Sequence, residues 1–124
     1  MNTQITIPSE YSIDITGDAC IGDEVAFERA IFTGSFRRPR FAGTKLVIGK
    51  VISDSYGRSK QQHTFTLELP SGDKMLIKGR NLYRNGLYRK PWGDEALRVD
   101  NLEEKHNRGA FARETRQRRM EAYL

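Results

Sequence analysis

The sequence holds a single cysteine, Cys20, and no apolar run that approaches the roughly 18 residues needed to cross a bilayer. One cysteine excludes an internal disulfide and any metal cage built from cysteines, and it fits a reducing compartment. The first residues, Met1 to Gln4, show neither the charged start nor the apolar stretch of a secretory signal. We therefore expect a cytoplasmic protein that does not engage a membrane.

Residues suited to catalysis or metal binding are also scarce. The two histidines, His63 and His106, fall on different predicted elements, and His63 lies on the inward face of a predicted strand. No phosphate-binding loop, dinucleotide fingerprint, nucleophile elbow or set of metal ligands at the right spacing is present. Asp23 and Glu24 are adjacent, so on a strand they diverge, and we assign them to solvated faces. The sequence predicts a protein without enzymatic activity, metal or other cofactor.

The charge is distributed unevenly along the chain. Hydrophobic residues make up 37% of the 124 residues, which allows one small domain and at most an appendage. Residues 1–30 carry six acids and one base, residues 31–90 carry thirteen bases and three acids, and residues 91–124 carry seven of each. A basic middle segment favours a polyanionic partner, although a basic and inert solvated face gives the same pattern.

Short stretches before Trp92 alternate between apolar and polar residues, which is typical of β-strands. The clearest stretch runs from His63 to Leu69. Pro70-Ser71-Gly72-Asp73 then predicts a tight turn into a return strand over residues 74–78. This hairpin is the strongest structural signal in the sequence.

Other strands are predicted earlier in the chain. Residues 25–31 alternate, and that strand is expected to end near residues 33–35. Residues 44–53 form the most apolar run, and Gly49 within it predicts a bulge or sharp bend. The first twenty residues indicate one or two short strands or an extended arm. Four or five short strands without an intervening helix predict a mainly β domain over residues 1–93, a small antiparallel SH3-like barrel or alternatively an OB-like one.

Two stretches combine cations with aromatic rings. Residues 36–43 place three arginines between two phenylalanines, and Pro39 with the flanking glycines predicts an exposed loop. Residues 78–92 interleave five cations with three aromatic residues and contain no acid. Arginines contact phosphates, and aromatic rings stack on unpaired bases. If the two stretches lie side by side, they form a continuous positive rim.

Several residues of the second stretch have a structural alternative. Leu82, and to a lesser degree Tyr83, alternatively complete the core at the end of a barrel strand, and Trp92 is suited to filling the space between barrel and helix. Asn85-Gly86 predicts a tight hairpin turn that would place Arg84 and Arg89 on its two sides.

After Trp92 the pattern becomes helical, and residues 94–124 are predicted to be a basic C-terminal extension. Asp94 is a suitable N-cap for a helix over residues 95–107, and Gly109 predicts its end. A second helix is predicted over residues 110–124, where apolar residues form no continuous stripe. This segment is either an arginine-rich helix that folds on RNA or an ordinary charged helix packed by Phe111 and Met120.

These features favour a non-catalytic protein that binds nucleic acid, with RNA or single-stranded DNA preferred over duplex because rings are useful where bases are unstacked. The predicted contacts are Arg37, Arg38, Arg40, Arg80, Arg84, Tyr88, Arg89, Lys90, Arg113, Arg116, Arg118 and Arg119, with Trp92 stacking or packing. The alternative is a small protein-binding regulator or inhibitor, of the kind carried by phages and mobile elements, that docks on a larger nucleic-acid-processing complex. The acidic first thirty residues favour that alternative.

Overall fold

The computed structural model describes residues 7–56 and 63–122. Six strands form one antiparallel sheet in the order β1-β6-β2-β3-β4-β5, which curls into a half-barrel and is followed by a C-terminal helix. The structure confirms the prediction of a mainly antiparallel β architecture that is followed by a C-terminal helix. The elements are β1 (Ile13–Asp14), β2 (Glu24–Ser35), β3 (Arg38–Tyr56), β4 (His63–Glu68), β5 (Lys74–Lys78), α1 (Gly79–Leu82), β6 (Tyr88–Arg89) and α2 (Glu95–Ala122).

The hairpin of β4 and β5 follows the sequence prediction closely. Phe65 pairs with Ile77 across the two strands, and both side chains are buried. The backbone nitrogen of Leu69 donates to the carbonyl of Asp73 at 2.8 Å, and Gly72 adopts the positive φ that the turn requires. This hairpin supplies three of the eleven residues of the core cluster, and β2 and β3 supply four more. The core cluster comprises Ile15, Ala19, Val25, Phe27, Val47, Val51, Phe65, Leu67, Ile77, Leu82 and Leu87.

The long strand β3 joins the two halves of the sheet. Its residues 38–50 pair with β2, and residues 50–56 pair with β4. The ladder with β4 shifts between Val51 and Ser53, two residues beyond the glycine that predicted a bulge. At Gly49 itself an added Cβ would lie 3.1 Å from the carbonyl oxygen of Glu68. The glycine therefore permits a close approach of two strands rather than forming the bulge.

The segment between β5 and α2 departs from prediction. Lys78 is followed by the short helix α1, and Asn85-Gly86 lies in the irregular turn after it, before β6. Gly86 has a positive φ, as the sequence indicates, but no hairpin with Arg84 and Arg89 on its two sides is formed. β6 instead pairs with β1 and with the start of β2. The predicted hairpin turn is wrong because β6 pairs with these strands, which are distant in the sequence, and not with the residues just before Gly86.

The predicted break at Gly109 is also wrong, because residues 95–122 form one helix about 42 Å long. Its start agrees with prediction, since the Asp94 carboxylate accepts a hydrogen bond from the backbone nitrogen of Ala96 at 3.0 Å. A glycine inside a helix costs about 1 kcal/mol relative to alanine. Gly109 is buried, and the neighbouring Arg108 pairs with Asp54 at 2.6 Å, so contacts with the sheet offset that cost. No helix within the described ranges is long and apolar enough to span a bilayer.

Candidate functional site

The hairpin of β2 and β3 extends beyond the core as a two-stranded ribbon. We call residues 31–42 the arm; each of them is exposed. The ladder runs without interruption to the pair of Ser35 and Arg38, apart from one register shift after Ile31. At about 3.3 Å per residue, the arm extends roughly 15 Å. The predicted loop over residues 36–43 is therefore mostly strand.

Glycine and proline suit the end of the arm for different reasons. Gly34 has a positive φ, and an added Cβ there would lie 2.7 Å from the carbonyl oxygen of Arg38. Pro39 pairs with Gly34 and lacks a backbone N–H, which an isolated ribbon with free outer edges tolerates. The sequence argument against a central strand at Pro39 was sound, but the ribbon is not central.

The pairing register gives the arm two chemically different faces. Phe32 pairs with Phe41, and their rings make an edge-to-face contact with centroids 6.1 Å apart. Because side chains alternate along a strand, Arg38 and Arg40 lie on the opposite face. Phe36 is fully exposed at the tip. The arm thus offers an aromatic face and a cationic face.

A cleft connects the aromatic face of the arm with α1. It is lined on one side by residues of β2, namely Glu28, Arg29, Ala30 and Phe32, and on the other by Asn81, Arg84 and Asn85. The Asn85 side-chain nitrogen donates to the carbonyl oxygen of Glu28 at 3.1 Å, which fixes the turn after α1 against β2. Arg80 lines a second depression together with Asn81 and Arg84. The structure therefore brings Arg80 and Arg84 of the second stretch beside the arm.

Five of the arginines that the sequence predicts to contact phosphates carry uncompensated charge at this surface. Within residues 7–56 and 63–122, none of them forms an ion pair with a carboxylate. All five are exposed, so they remain hydrated and available to an anionic partner. They are Arg37, Arg38, Arg40, Arg80 and Arg84.

The last part of the second stretch has a structural role instead. Arg89 is only 5% exposed and makes a bidentate pair with Glu95, with nitrogen–oxygen distances of 2.7 and 3.1 Å. These hydrogen bonds, with one from the backbone nitrogen of Trp92, lower the pKa of Glu95 to about 2. Because it is buried and paired, Arg89 is removed from the candidate phosphate contacts.

Lys90, Tyr88 and Tyr83 are likewise engaged within the fold. Lys90 lies 3.7 Å from the carboxylate of Glu10 and 5.2 Å from the ring centroid of Tyr11. Tyr88 is half-buried in β6. The hydroxyl of Tyr83 accepts a hydrogen bond from the backbone nitrogen of Ala19 at 3.1 Å, and burial raises the pKa of this tyrosine to about 12. The core alternative for Tyr83 therefore describes its position.

Asp23, which we had assigned to a solvated face, is fully buried. Its carboxylate accepts from the backbone nitrogen of Cys20 at 3.0 Å, from Trp92 Nε1 at 2.8 Å, and from Arg98 Nε at 2.8 Å and one terminal nitrogen at 3.1 Å. The Trp92 ring contacts Gly22, where an added Cβ would lie 2.5 Å from it. Trp92 thus fills the space between sheet and helix. The prediction that Asp23 lies on a solvated face is wrong.

The helix α2 docks on the body through polar groups. Asn101 donates to the carbonyl of Ile21 at 2.9 Å, and Lys105 donates to the carbonyl of Ala19 while lying 5.6 Å from the Phe65 ring centroid. Burial lowers the pKa of Lys105. The buried positions recur at helical spacing, but most of their side chains are charged or amide groups. Because the sequence prediction looked for a stripe of apolar residues, it missed this face of the helix. The inward positions are Arg98, Asn101, Leu102, Lys105, Arg108 and Gly109.

The predicted contacts of the tail lie mostly outside the described side chains. The backbone of Arg113, Arg116 and Arg119 belongs to α2, but their side chains are not described. Arg118 is exposed and pairs with Glu114 one turn earlier at 2.6 Å. Phe111 and Met120, the residues of the alternative prediction, are both exposed over about 70% of their surface.

Residues 20–92 match the family model described as Domain of unknown function (DUF7699). The chain is also 41% identical over 126 residues to a rice protein (Oryza sativa subsp. japonica) named Zinc finger CCCH domain-containing protein 62. That alignment covers 90% of this chain and 18% of the rice protein, so the chain spans less than a fifth of its relative. No solved structure matches the chain.

The zinc finger in the relative's name does not transfer to this chain. A site with three cysteines and one histidine needs three cysteines, and the sequence has only Cys20. Among the residues that the structure describes, no three His, Cys, Asp or Glu side chains are grouped to hold a metal ion. Cys20 itself is buried, and this burial raises the pKa of its thiol to about 12.

Proposed function

We propose that this chain, which belongs to the DUF7699 family, is a non-catalytic nucleic-acid-binding module that prefers RNA or single-stranded DNA. In this proposal the curled sheet is a small SH3-like or OB-like barrel over residues 1–93 that works in the cytoplasm. Residues 94–124 are a helical extension of that barrel, whose arginines widen the footprint. The arm forms the binding surface together with Arg80 of α1 and Arg84 of the turn that follows it.

One observation carries the proposal: exposed arginines that have no carboxylate partner among the described residues share the arm and its flanking cleft with exposed aromatic rings. Arg84 lies across a cleft from Phe32, and Arg38 and Arg40 lie on the arm that carries Phe36. Cations that track a backbone beside rings that stack on bases are the usual means of binding single strands. Arginines at a site with a structural role would be expected to pair with carboxylates, as Arg89 does.

Single strands are favoured because the rings are accessible to unstacked bases. Each base stacked on an aromatic side chain contributes about 1–3 kcal/mol, and every base has a face to offer. Phe32, Phe36 and Phe41 are all exposed, so up to three rings on the arm are available. This arrangement favours binding with little sequence preference.

A second candidate function, the protein-binding regulator, is supported by the same three phenylalanines. Exposed aromatic clusters also serve as anchors in protein interfaces. The two functions differ in their dependence on salt, because displacement of counterions from phosphates is strongly salt-dependent and aromatic anchoring is not.

The proposal is tested by measuring affinity for single-stranded RNA, single-stranded DNA and duplex DNA at several salt concentrations. Five phosphate contacts on a single strand predict a slope of log K against log salt near about −3.5. The variant Arg80→Ala with Arg84→Ala should flatten this slope by roughly 1.4. The matched control, Lys50→Ala with Lys74→Ala, removes the same charge from exposed positions away from the arm and should leave the slope nearly unchanged. Absence of binding at about 50 mM salt would refute the proposal.

A further inference from the structure

A groove lies along the free edge of β3, where the arm leaves the body. It has a volume of about 380 Å³, within the usual range of roughly 300–1,000 Å³ for ligand sites. The base of the arm forms one wall, and the β4–β5 turn forms the other. Its lining residues are Arg29, Lys45, Leu46, Val47, Ile48, Leu69, Pro70, Ser71 and Met75.

The groove exposes backbone as well as side chains. The four consecutive residues from Lys45 to Ile48 all line it, although neighbouring side chains on a strand point to opposite faces. Consecutive residues line one groove only where it follows the edge of a strand. In the described part of the chain, β4 pairs with β3 only from Lys50 onward, and the other edge of β3 is occupied by β2. Alternate N–H and C=O groups before Lys50 therefore point outward without a strand partner.

The chemistry of the lining indicates what this edge can bind. Its centre is apolar, formed by residues such as Leu46, Leu69 and Met75. Lys45 and Arg29 stand opposite each other in the ladder, both exposed, and none of the nine lining residues is acidic. Arg29 already leans across the groove, since one of its terminal nitrogens lies 3.7 Å from the sulfur of Met75. An unpaired strand edge, apolar depth and two cations are complementary to an extended acidic peptide.

We propose that this edge groove binds an extended segment of a partner protein, which pairs with β3 as an additional strand. The main chain of the segment hydrogen-bonds to the edge of β3 near residues 45–48, and an apolar side chain enters between Leu46 and Leu69. A carboxylate one or two residues away meets Lys45 or Arg29. This is the strand-addition mode of peptide recognition. The groove shares Arg29 with the cleft beside α1, but its other lining residues differ from those of the proposed nucleic-acid surface, so the module can connect the two partners.

The test is selection of random peptides displayed on phage against the full chain. Enriched peptides are expected to carry an apolar residue within two positions of an aspartate or glutamate. They should bind Lys45→Glu at least about fivefold more weakly than the original chain, because the reversal removes an attraction and adds a repulsion. Backbone amide signals of residues 45–48 should shift in NMR spectra when an enriched peptide is added.

The matched control is Arg84→Glu, an equal charge reversal at an exposed position outside the groove. It should bind the enriched peptides as the original chain does, while its affinity for single-stranded RNA falls. Failure of RNA binding alone would therefore leave the groove proposal standing. Failure to enrich any peptide, enrichment of basic peptides, or equal binding to Lys45→Glu and the original chain would overturn it.

Discussion

Two groups of cations in this chain differ in their surroundings. Arg98 and Arg89, at the junction of sheet and α2, are buried and paired with Asp23 and Glu95. The arginines of the arm and α1 are exposed and have no carboxylate partner within the described residues. Identical side chains are thus used in one place to fasten a helix and in another to present positive charge. Net charge alone does not separate these uses.

Ion pairs within the fold also involve several acids of the first thirty residues. Asp23 is buried against Arg98, Glu10 lies near Lys90, and Asp18 lies 3.8 Å from His106. Two of the six acids in this segment, Asp23 and Glu10, therefore have cationic partners in Arg98 and Lys90. The arginines of the arm, in contrast, are exposed and have no carboxylate partner among the described residues.

The largest effect is expected from breaking the paired group at Asp23. Asp23→Ala leaves Arg98 buried without its carboxylate, and such a loss costs about 3–5 kcal/mol of unfolding free energy. Urea denaturation measures it. The exposed Asp100→Asn on the same helix is the control and should change stability by less than about 0.5 kcal/mol. A loss at Asp23 no larger than the control would contradict the role of this carboxylate in fastening α2.

An intermediate effect, on RNA binding by the arm, is expected when the side chain of Phe36 is removed. Phe36→Ala should weaken binding to single-stranded RNA by about 1–3 kcal/mol if this ring stacks on a base, and leave stability nearly unchanged because the ring is fully exposed. Fluorescence anisotropy gives the affinity. Leu76→Ala removes another exposed apolar side chain, on β5, and serves as the control. Equal affinities of the two variants would exclude stacking by Phe36.

The smallest effect is expected from Glu95, and it depends on pH. Its pKa is about 2 in the folded chain against an ordinary 4.5, so its contribution to stability is complete above about pH 4.5 and is lost as the pH falls toward 2. The melting temperature of the original chain should exceed that of Glu95→Gln at neutral pH, and the gap should close in acid. Glu103→Gln, at an exposed position of the same helix, should show no such trend. A gap that stays constant with pH would contradict the ion pair with Arg89.

The sequence predictions were accurate where the stabilising interactions join residues that are close in the sequence, and they failed where those residues are far apart. The β4–β5 hairpin was predictable because its alternation, its turn and its return strand lie within sixteen consecutive residues. The link between Asp23 and Arg98 joins residues 75 positions apart, and no local pattern identifies it. The predicted helix break at Gly109 was wrong for the same reason. Asp54, on the distant strand β3, pairs with Arg108 and stabilises this turn of the helix.

The candidate site was predictable in composition but not in shape. Arginines and phenylalanines at residues 36–41 indicated an exposed basic and aromatic surface, and those side chains are exposed. The ribbon was missed because Pro39 and the nearby glycines are typical of loops. The different burial of Arg84 and Arg89 could not be predicted from the sequence. Both residues belong to the same acid-free stretch, and only the folded structure shows that Arg89 is buried and Arg84 exposed.

The most direct test of the central claim is the salt dependence of RNA binding by Arg38→Ala with Arg40→Ala. Affinity for a single-stranded RNA is measured between about 50 and 200 mM salt, beside the control pair Lys50→Ala with Lys74→Ala. If the arm meets phosphates, the slope of log K against log salt flattens by roughly 1.4 for the arm variant and hardly changes for the control. Equal slopes for the two variants would contradict the claim that the arm presents its charge to nucleic acid.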